Sequence, residues 1–428
     1  MESVAINNSK NRTQTELVKK DKMSIDIFRD TISKEDVETV VKRALGSNAK
    51  IINYSVKAFS EEKVGFMGSH QFLTVTITRG NRLEKEIHAY FLKTIPYGVE
   101  SQVSVIESCD SFFKEANFYK HIAPELMLNS KNKSWSAQCY LAKNDVLVFE
   151  NLKARNFDTR DKILDLTSLK SALNTLATLH CASILAEKRL GKTFMELYPE
   201  AMKECIFSLD SKNKFRDWFL TGVNAVIGVA DHLGLESKSI SKICHRIFEK
   251  ISASKKWRNV VCHGDLWSYN MMFDNAKPLN NCVLVDFQLT RYASAMADVA
   301  QLLYLTVRKD TREKIEMELL KFYHDRVCEI LRENNEEREI RTFDDCIREF
   351  EEMRIVGIVT ASIYIPINSV ESNMCANLTQ DSDGFLNLLF RERVKLVLQI
   401  MENDALYRDK ITEVVQEMVT RSAELLSL

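Results

Sequence analysis

His263-Gly264-Asp265-Leu266-Trp267-Ser268-Tyr269-Asn270 is followed by Val283-Leu284-Val285-Asp286-Phe287-Gln288, which sets Asp286 21 residues after Asp265. The first run is a polar loop; the second is a short apolar strand that ends in an aspartate. Together they supply the oxygen groups that phosphoryl transfer to a hydroxyl needs. One carboxylate orients the attacking hydroxyl and accepts its proton, while an amide and a second carboxylate hold Mg²⁺ across the phosphates of ATP. A loop of the form H-x-D-x-x-x-x-N with a strand-end aspartate downstream has this layout. Asp265 is therefore the expected base, Asn270 and Asp286 the expected Mg²⁺ ligands, and His263 a brace for the loop. Either aspartate alone reads as an ordinary turn residue or strand-end cap. Their pairing at this spacing carries the reading.

Working toward the N-terminus, such chemistry needs a lysine on a strand for the α- and β-phosphates and a helical glutamate to hold that lysine. Residues Ile87 to Lys93 alternate as a strand, and Lys93 closes it. Glu115 lies on a helix expected over about 110–121, with Phe112, Ala116 and Tyr119 on one side and Pro124 just past its end. Gly65-Phe66-Met67-Gly68-Ser69 precedes the strictly alternating Leu73-Thr74-Val75-Thr76-Ile77-Thr78. Gly65, Gly68 and Ser69 read either as a phosphate-covering loop, whose backbone amides approach the nucleotide, or as a plain hairpin turn. Val146-Leu147-Val148-Phe149 leads into Glu150-Asn151-Leu152, the expected adenine-side hinge, with an ordinary strand exit as the other reading.

The surrounding pattern places these motifs in an α+β chain. Ser33 is an N-cap for a helix striped by Val37, Val40, Val41, Ala44 and Leu45, which Gly46 ends. Strand patterns fill about 50–150, and helices dominate from about 160 onward. The expected organisation is a disordered arm over 1–22, an N-lobe over 23–150 built from the leading helix, an antiparallel sheet and the Glu115 helix, and a helical C-lobe over 151–428 holding the catalytic loop and substrate pocket. The stripe Ile355, Ile358, Val359, Ser362 and Ile363, with Tyr364 and Pro366, reads as core, with a pocket wall as the alternative. His180 reads as a satisfied core histidine and Asp298 as an anchor for the catalytic loop.

Composition narrows the partners. The 59 basic and 60 acidic residues leave a net charge of −1, which gives no electrostatic footprint for nucleic acid or an anionic membrane. The 10 cysteines are scattered, with no C-x-x-C pair, so they read as reduced thiols of a cytoplasmic protein. The first 22 residues lack an apolar core for a secretory signal, and the longest uncharged stretch, Ile355 to Val370, is shorter than a membrane span and contains Pro366.

The run from Val261 to Trp267, then Asn270-Met271-Met272-Phe273 and Val285-Asp286-Phe287-Gln288, resembles the ecdysteroid kinase-like family, in the choline/aminoglycoside phosphotransferase branch of the protein-kinase-like fold. The Gln after Asp-Phe and the Trp after His-Gly-Asp-Leu are the distinctive features. Phe91 to Pro96, Phe112 to Glu115, Leu147 to Leu152 and Leu179 to Ser183 are similar to the family's lysine strand, glutamate helix, hinge and Leu-His-Ala-x-Ser helix. The chain departs from the family in its glycine loop, which lacks Asn-Tyr-x-x-Ser, in Ala297 before Asp298 where proline is usual, and in Tyr269 before Asn270. The resemblance implies a two-lobed kinase fold and ATP-dependent phosphorylation of a small-molecule alcohol, an ecdysteroid or a xenobiotic alcohol or phenol, with no obligate protein partner. A choline- or sugar-type kinase is the alternative within enzymes. A ligand-binding pseudokinase is the alternative outside them, although it is expected to lose Asp265, Asn270, Asp286 or Lys93, and all four are present. A protein kinase fits poorly, because no A-P-E segment occurs and the interval from Asp286 to Asp298 is short for a peptide-binding loop.

Overall fold

The computed structural model describes residues 32–59, 68–80, 84–128, 135–208, 210–277, 281–378 and 382–427. The arm expected over 1–22 and Gly65 lie outside the described residues. The chain divides into two compact units, one from residues 1–95 with 138–151 and the other from 96–137 with 152–428.

Among the described residues the first unit holds a five-stranded antiparallel sheet with one helix on its face. Helix α1 (Lys34–Leu45) starts where Ser33 Oγ accepts the Asp36 N–H at 3.1 Å. Glu35 and Asp36 sit in its first turn and Lys42 and Arg43 in its last, each sign matched to the helix dipole, and Gly46 at φ 85° ends it. Strands β1 (Ala49–Ala58), β2 (Ser69–Arg79), β3 (Glu86–Thr94), β4 (Cys139–Ala142) and β5 (Val146–Glu150) pair in the order β1-β2-β3-β5-β4. The period-two alternation sends Leu73, Val75 and Ile77 of β2, with Tyr90 and Leu92 of β3, onto Val37, Val40 and Val41 of α1. Burying each such aliphatic side chain stabilises the unit by roughly 1.5–3 kcal/mol. Phe91 and Lys93 therefore lie on the opposite face of β3. Ile87, on that same face, is 71% exposed.

The second unit is mainly helical. It opens with α2 (Glu100–Cys109) and α3 (Ser111–Asn117), separated by Asp110 in the left-handed region at φ 52°. The helix expected to stop before Pro124 continues. A π-helical turn, Phe118–Ile122, leads into α4 (Ala123–Leu128), and Pro124 falls at the second residue of α4. A proline cannot donate to the helical ladder, and it is tolerated here directly after a π turn, where the regular i→i−4 pattern is already interrupted. Helix α5 (Leu166–Leu190), capped by Asp165 accepting the Ser168 N–H at 2.7 Å, is buried along most of its length. Around it run α6 (Lys214–His232), α7 (Ala295–Thr306), α8 (Lys309–Glu333), α9 (Phe343–Asn368), α10 (Arg393–Asn403) and α11 (Ala405–Ser427). Pro366 lies inside α9, and its carbonyl accepts the Tyr407 hydroxyl at 2.7 Å.

Two small sheets are set among these helices. Strands β6 (Phe157–Asp158), β8 (Met271–Asp274) and β9 (Cys282–Leu284) pair in the order β6-β8-β9, and β7 (Asn259–Cys262) pairs with β10 (Arg291–Ser294). The polar loop 263–270 leaves β7 and enters β8; β9 delivers Asp286. Among the described residues no helix is long and apolar enough to cross a membrane.

Candidate active site

The loop 263–270 is pinned amide by amide. Asp298, at the start of α7 and 2% exposed, accepts the His263 N–H on Oδ2 at 2.7 Å and the Gly264 N–H on Oδ1 at 3.0 Å. The Asp265 N–H donates to His263 Nδ1 at 3.2 Å, and the Leu266 N–H to Gln301 Oε1 at 3.0 Å. Four consecutive backbone donors thus find side-chain acceptors in a buried place where an unpaired N–H would cost about 1–3 kcal/mol. Gly264 sits at φ +85°, where a Cβ would lie 2.2 Å from the Leu289 carbonyl oxygen and 2.7 Å from Arg291 Nε. No larger residue fits. The Gly264 carbonyl accepts from Arg291 Nη2 at 2.5 Å, and Arg291 Nη1 lies 2.9 Å from Glu204 Oε2.

Behind Asp298 stands His180, with Nε2 at 3.3 Å from Asp298 Oδ2 and Nδ1 at 2.8 Å from the Tyr323 hydroxyl. Burial alone pushes the Asp298 carboxyl up, but the His180 hydrogen bond and the neighbouring histidines outweigh it and hold the group below the ordinary aspartate value. The ligating atoms of His180, Cys262 and Asp298 lie within 4.8 Å of one another. Both Asp298 oxygens and both His180 nitrogens are already engaged, and burial pushes the Cys262 thiol well up. His180 and Asp298 form a hydrogen-bonded brace, the Cys262 thiol is directed at the Ala293 and Ser294 carbonyls, and these atoms are engaged within the protein and not arranged as a metal cage.

His263 Nε2 donates to the Val285 carbonyl at 2.9 Å while Nδ1 accepts, which assigns the neutral tautomer. Burial holds its pKa below the ordinary 6.5. The unfolded chain therefore takes up a proton near pH 6.5 that the folded chain refuses. The stability so contributed is complete above that pH and falls as pH drops below it, by at most about 1.4 kcal/mol per pH unit. The melting temperature is expected to decline between pH 7.5 and 5.5, and His263→Gln to show a shallower slope over that window. An identical slope in the variant would exclude His263 as the source.

At the other end of the loop, Asn270 Nδ2 donates to both the backbone carbonyl and the Oδ2 carboxylate oxygen of Asp265, each at 2.9 Å. Its amide oxygen is thereby turned away from Asp265. Met271 pairs with Leu284, and the Val285 N–H donates to the Asn270 carbonyl at 3.0 Å, so Asn270 and Asp286 leave one strand pair at the same end. Asp286 adopts φ 68°, ψ 66°, a left-handed conformation that costs a non-glycine residue about 1–3 kcal/mol and clusters at functional sites. Gln288 Nε2 donates to its Oδ2 at 3.2 Å. Phe287 holds the turn: it stacks on Phe118 at 4.1 Å and 8°, and Trp135 and His263 close on it at 5.8 and 4.6 Å. The oxygens of Asn270 and Asp286 form a hard donor set that suits Mg²⁺.

The remaining sequence-derived residues divide between the units. In the first unit Lys93 is buried on β3, opposite His70 and Leu147. A Cβ on Gly68 would lie 3.2 Å from Lys93 Cε, so that backbone runs alongside the lysine. Ser69 opens β2 and accepts from Gln71 Nε2 at 3.1 Å; Glu150 closes β5 and accepts the Gln138 N–H at 2.9 Å. In the second unit Glu115 is buried on α3, and the Leu152 carbonyl accepts the N–H groups of Arg155 and Phe157 at 3.0 Å. Sequence reasoning missed four supports. Arg291, Gln301 and Phe287 fix the loop and the Asp286 turn. Lys114, whose pKa burial lowers, donates to the Ala201 carbonyl at 2.8 Å and to that of Lys203. Only the Phe next to Asp286 had a sequence signal, its place in the motif.

The sequence model of the ecdysteroid kinase-like family matches residues 65–336. A comparison with curated proteins gives no match. Among solved structures, the chain is similar to an ethanolamine kinase of Plasmodium vivax, with TM-score 0.37 and 12% identity over 86% of this chain and 87% of that one. It is similar to the choline kinase LicA of Streptococcus pneumoniae, with TM-score 0.36 and 15% identity over 85% and 99%. It is also similar to the macrolide 2'-phosphotransferase MphH of Brachybacterium faecium, with TM-score 0.37 and 8% identity over 83% and 98%.

Proposed function

Because this chain belongs to the ecdysteroid kinase-like family and is a small-molecule kinase, we propose that it transfers the γ-phosphate of ATP to a hydroxyl of a small organic molecule, an ecdysteroid or a xenobiotic alcohol or phenol. The observation that carries this reading is the Asn270 amide held at 2.9 Å by both the carbonyl and the carboxylate of Asp265. That contact supports the reading because it holds the proposed proton acceptor and the proposed cation ligand together on one loop, with Asp286 at the same end of the strand pair.

In this reading Asp265 orients the acceptor hydroxyl and takes its proton as the phosphoryl group moves. A Mg²⁺ ion held by Asn270 and Asp286 would neutralise phosphate charge. Lys93, Gly68, Ser69 and Glu150 are proposed for the nucleotide, with Glu115 and Leu152 in the supporting positions that their motifs assign. The irregular scatter of the 10 cysteines supports a reducing compartment, and we place the protein in the cytoplasm.

Two measurements test the reading. Mg·ATP is expected to raise the melting temperature, and ATP with chelator is not. Phosphate transfer is then screened against ecdysteroids, phenolic glycosides and choline. Asp286→Ala is expected to abolish the Mg²⁺-dependent rise. A rise of wild-type size in that variant would remove Asp286 from the cation site.

A further inference from the structure

The loop 263–270 has a buried side and an open side. Asp265, Leu266, Ser268 and Asn270 are buried, while Trp267 is half-buried and Tyr269 is 37% exposed. Backbone bonds set this pattern. The Trp267 N–H donates to the Asp265 carbonyl at 3.2 Å, and the Asn270 N–H to the Trp267 carbonyl at 3.0 Å, which closes a tight turn over Ser268–Asn270. Trp267 is extended, at φ −108° and ψ 165°, so successive side chains there point to opposite sides. The rings of Trp267 and Tyr269 meet on the open side, with centroids 5.0 Å apart and planes at 52°.

Single exposed apolar side chains are ordinary. This pair differs in its place and its chemistry. It sits two and four residues from Asp265, on a turn tied to Asp265 at both ends, since Asn270 Nδ2 holds the Asp265 carboxylate at 2.9 Å. Neither the indole N–H nor the phenol O–H has a hydrogen-bond partner among the described residues. Each ring thus offers an apolar face and a free polar edge. An acceptor reaches Asp265 from solvent, so on this loop it meets the two side chains that face solvent. We propose that Trp267 and Tyr269 form the surface on which the ring system of the acceptor rests while its hydroxyl meets Asp265. This rests on the phosphotransferase reading above.

The arrangement of the rings narrows the acceptor's chemistry. Caging an ammonium group takes rings set apart, with the cation between them. Centroids 5.0 Å apart leave no such gap, because the rings already pack on each other. The pair instead presents one continuous apolar surface edged by two donors. That surface suits a ring-bearing alcohol or phenol with polar substituents, and it gives a small acyclic alcohol little to rest on.

Trp267→Ala and Tyr269→Ala are assayed with an ecdysteroid and a phenolic glucoside as ring-bearing probes, and with glycerol and choline as acyclic ones. In each variant kcat/KM for the ring-bearing probes is expected to fall about 10–100-fold, mainly through KM. Trp267→Phe keeps a ring and should recover much of the loss. A second readout needs no turnover. With Mg·ADP present, titration of a ring-bearing probe is expected to change tryptophan emission in wild type and far less in Trp267→Phe, which keeps three of the 4 tryptophans. Unchanged kcat/KM in both alanine variants would overturn the proposal, as would an emission change of wild-type size in Trp267→Phe. So would a wild-type preference for glycerol or choline over both ring-bearing probes. A loss confined to kcat would mark the rings as supports of the loop and overturn it too. Asp265→Asn run in parallel separates the failures. If wild type and Asp265→Asn are equally inert toward every probe, the phosphotransferase reading fails and this inference with it. If wild type transfers phosphate, Asp265→Asn does not, and both alanine variants match wild type, only the role of the rings fails.

Discussion

Asp265→Asn is expected to lower kcat for acceptor phosphorylation by about 10²–10⁴-fold while leaving Mg·ATP affinity near its wild-type value. The substitution preserves shape and removes only the basic oxygen. Asn270 Nδ2 donates to the Asp265 backbone carbonyl as well as to its Oδ2, both at 2.9 Å. The first bond is untouched, and the side-chain oxygen of an asparagine can keep the second. The amides of residues 263 to 266 answer to Asp298, His263 and Gln301, none of which changes. The loop should therefore hold its course, with Asn270 still positioned, and the loss should appear in the chemical step. Single-turnover transfer beside calorimetric titration of Mg·ATP separates the two. Wild-type kcat in the variant would mean that another group takes the proton. A loss of nucleotide affinity equal to the loss of rate would mean that Asp265 acts on the phosphates and not on the acceptor.

The parts of this architecture that could be read from the sequence are those built from near neighbours. The cap on Ser33, the stripe of α1 and the alternation of β2 each express one period, and the structure uses each as written. The loop 263–270 is legible for the same reason, since the Asp265 carboxylate and the Asn270 amide that bonds it are five residues apart in one loop. The helix around Glu115 was misjudged at Pro124 because a π turn, which has no sequence rule, precedes the proline. Arg291 and Lys114 were illegible because long cationic side chains usually reach solvent. Their burial depends on Glu204 and on the carbonyls of Ala201 and Lys203, which are distant in sequence. The stripe holding Tyr364 was correctly readable as buried.

Asp298→Ala should give the largest loss of stability, about 3–5 kcal/mol, because it strips partners from a buried network. The carboxylate accepts the His263 and Gly264 amides at 2.7 and 3.0 Å and faces His180 Nε2 at 3.3 Å. Alanine leaves two backbone donors and a histidine without their acceptor in a place water does not reach. Asp298→Asn is the sharper probe. Its oxygen can serve one amide, but its NH₂ must then face the other donor, so it should lose less stability and still release one end of the loop. Gly264 cannot adjust to this, since its φ of +85° and its carbonyl bond to Arg291 tie it to the strand beyond. The folded fraction of Asp298→Asn should therefore turn over more slowly even where melting shows it intact, with kcat falling further than Mg·ATP affinity. If the variant instead kept wild-type kcat at a temperature well below its transition, Asp298 would serve stability alone, and the course of the loop would be set by Arg291 and Gln301.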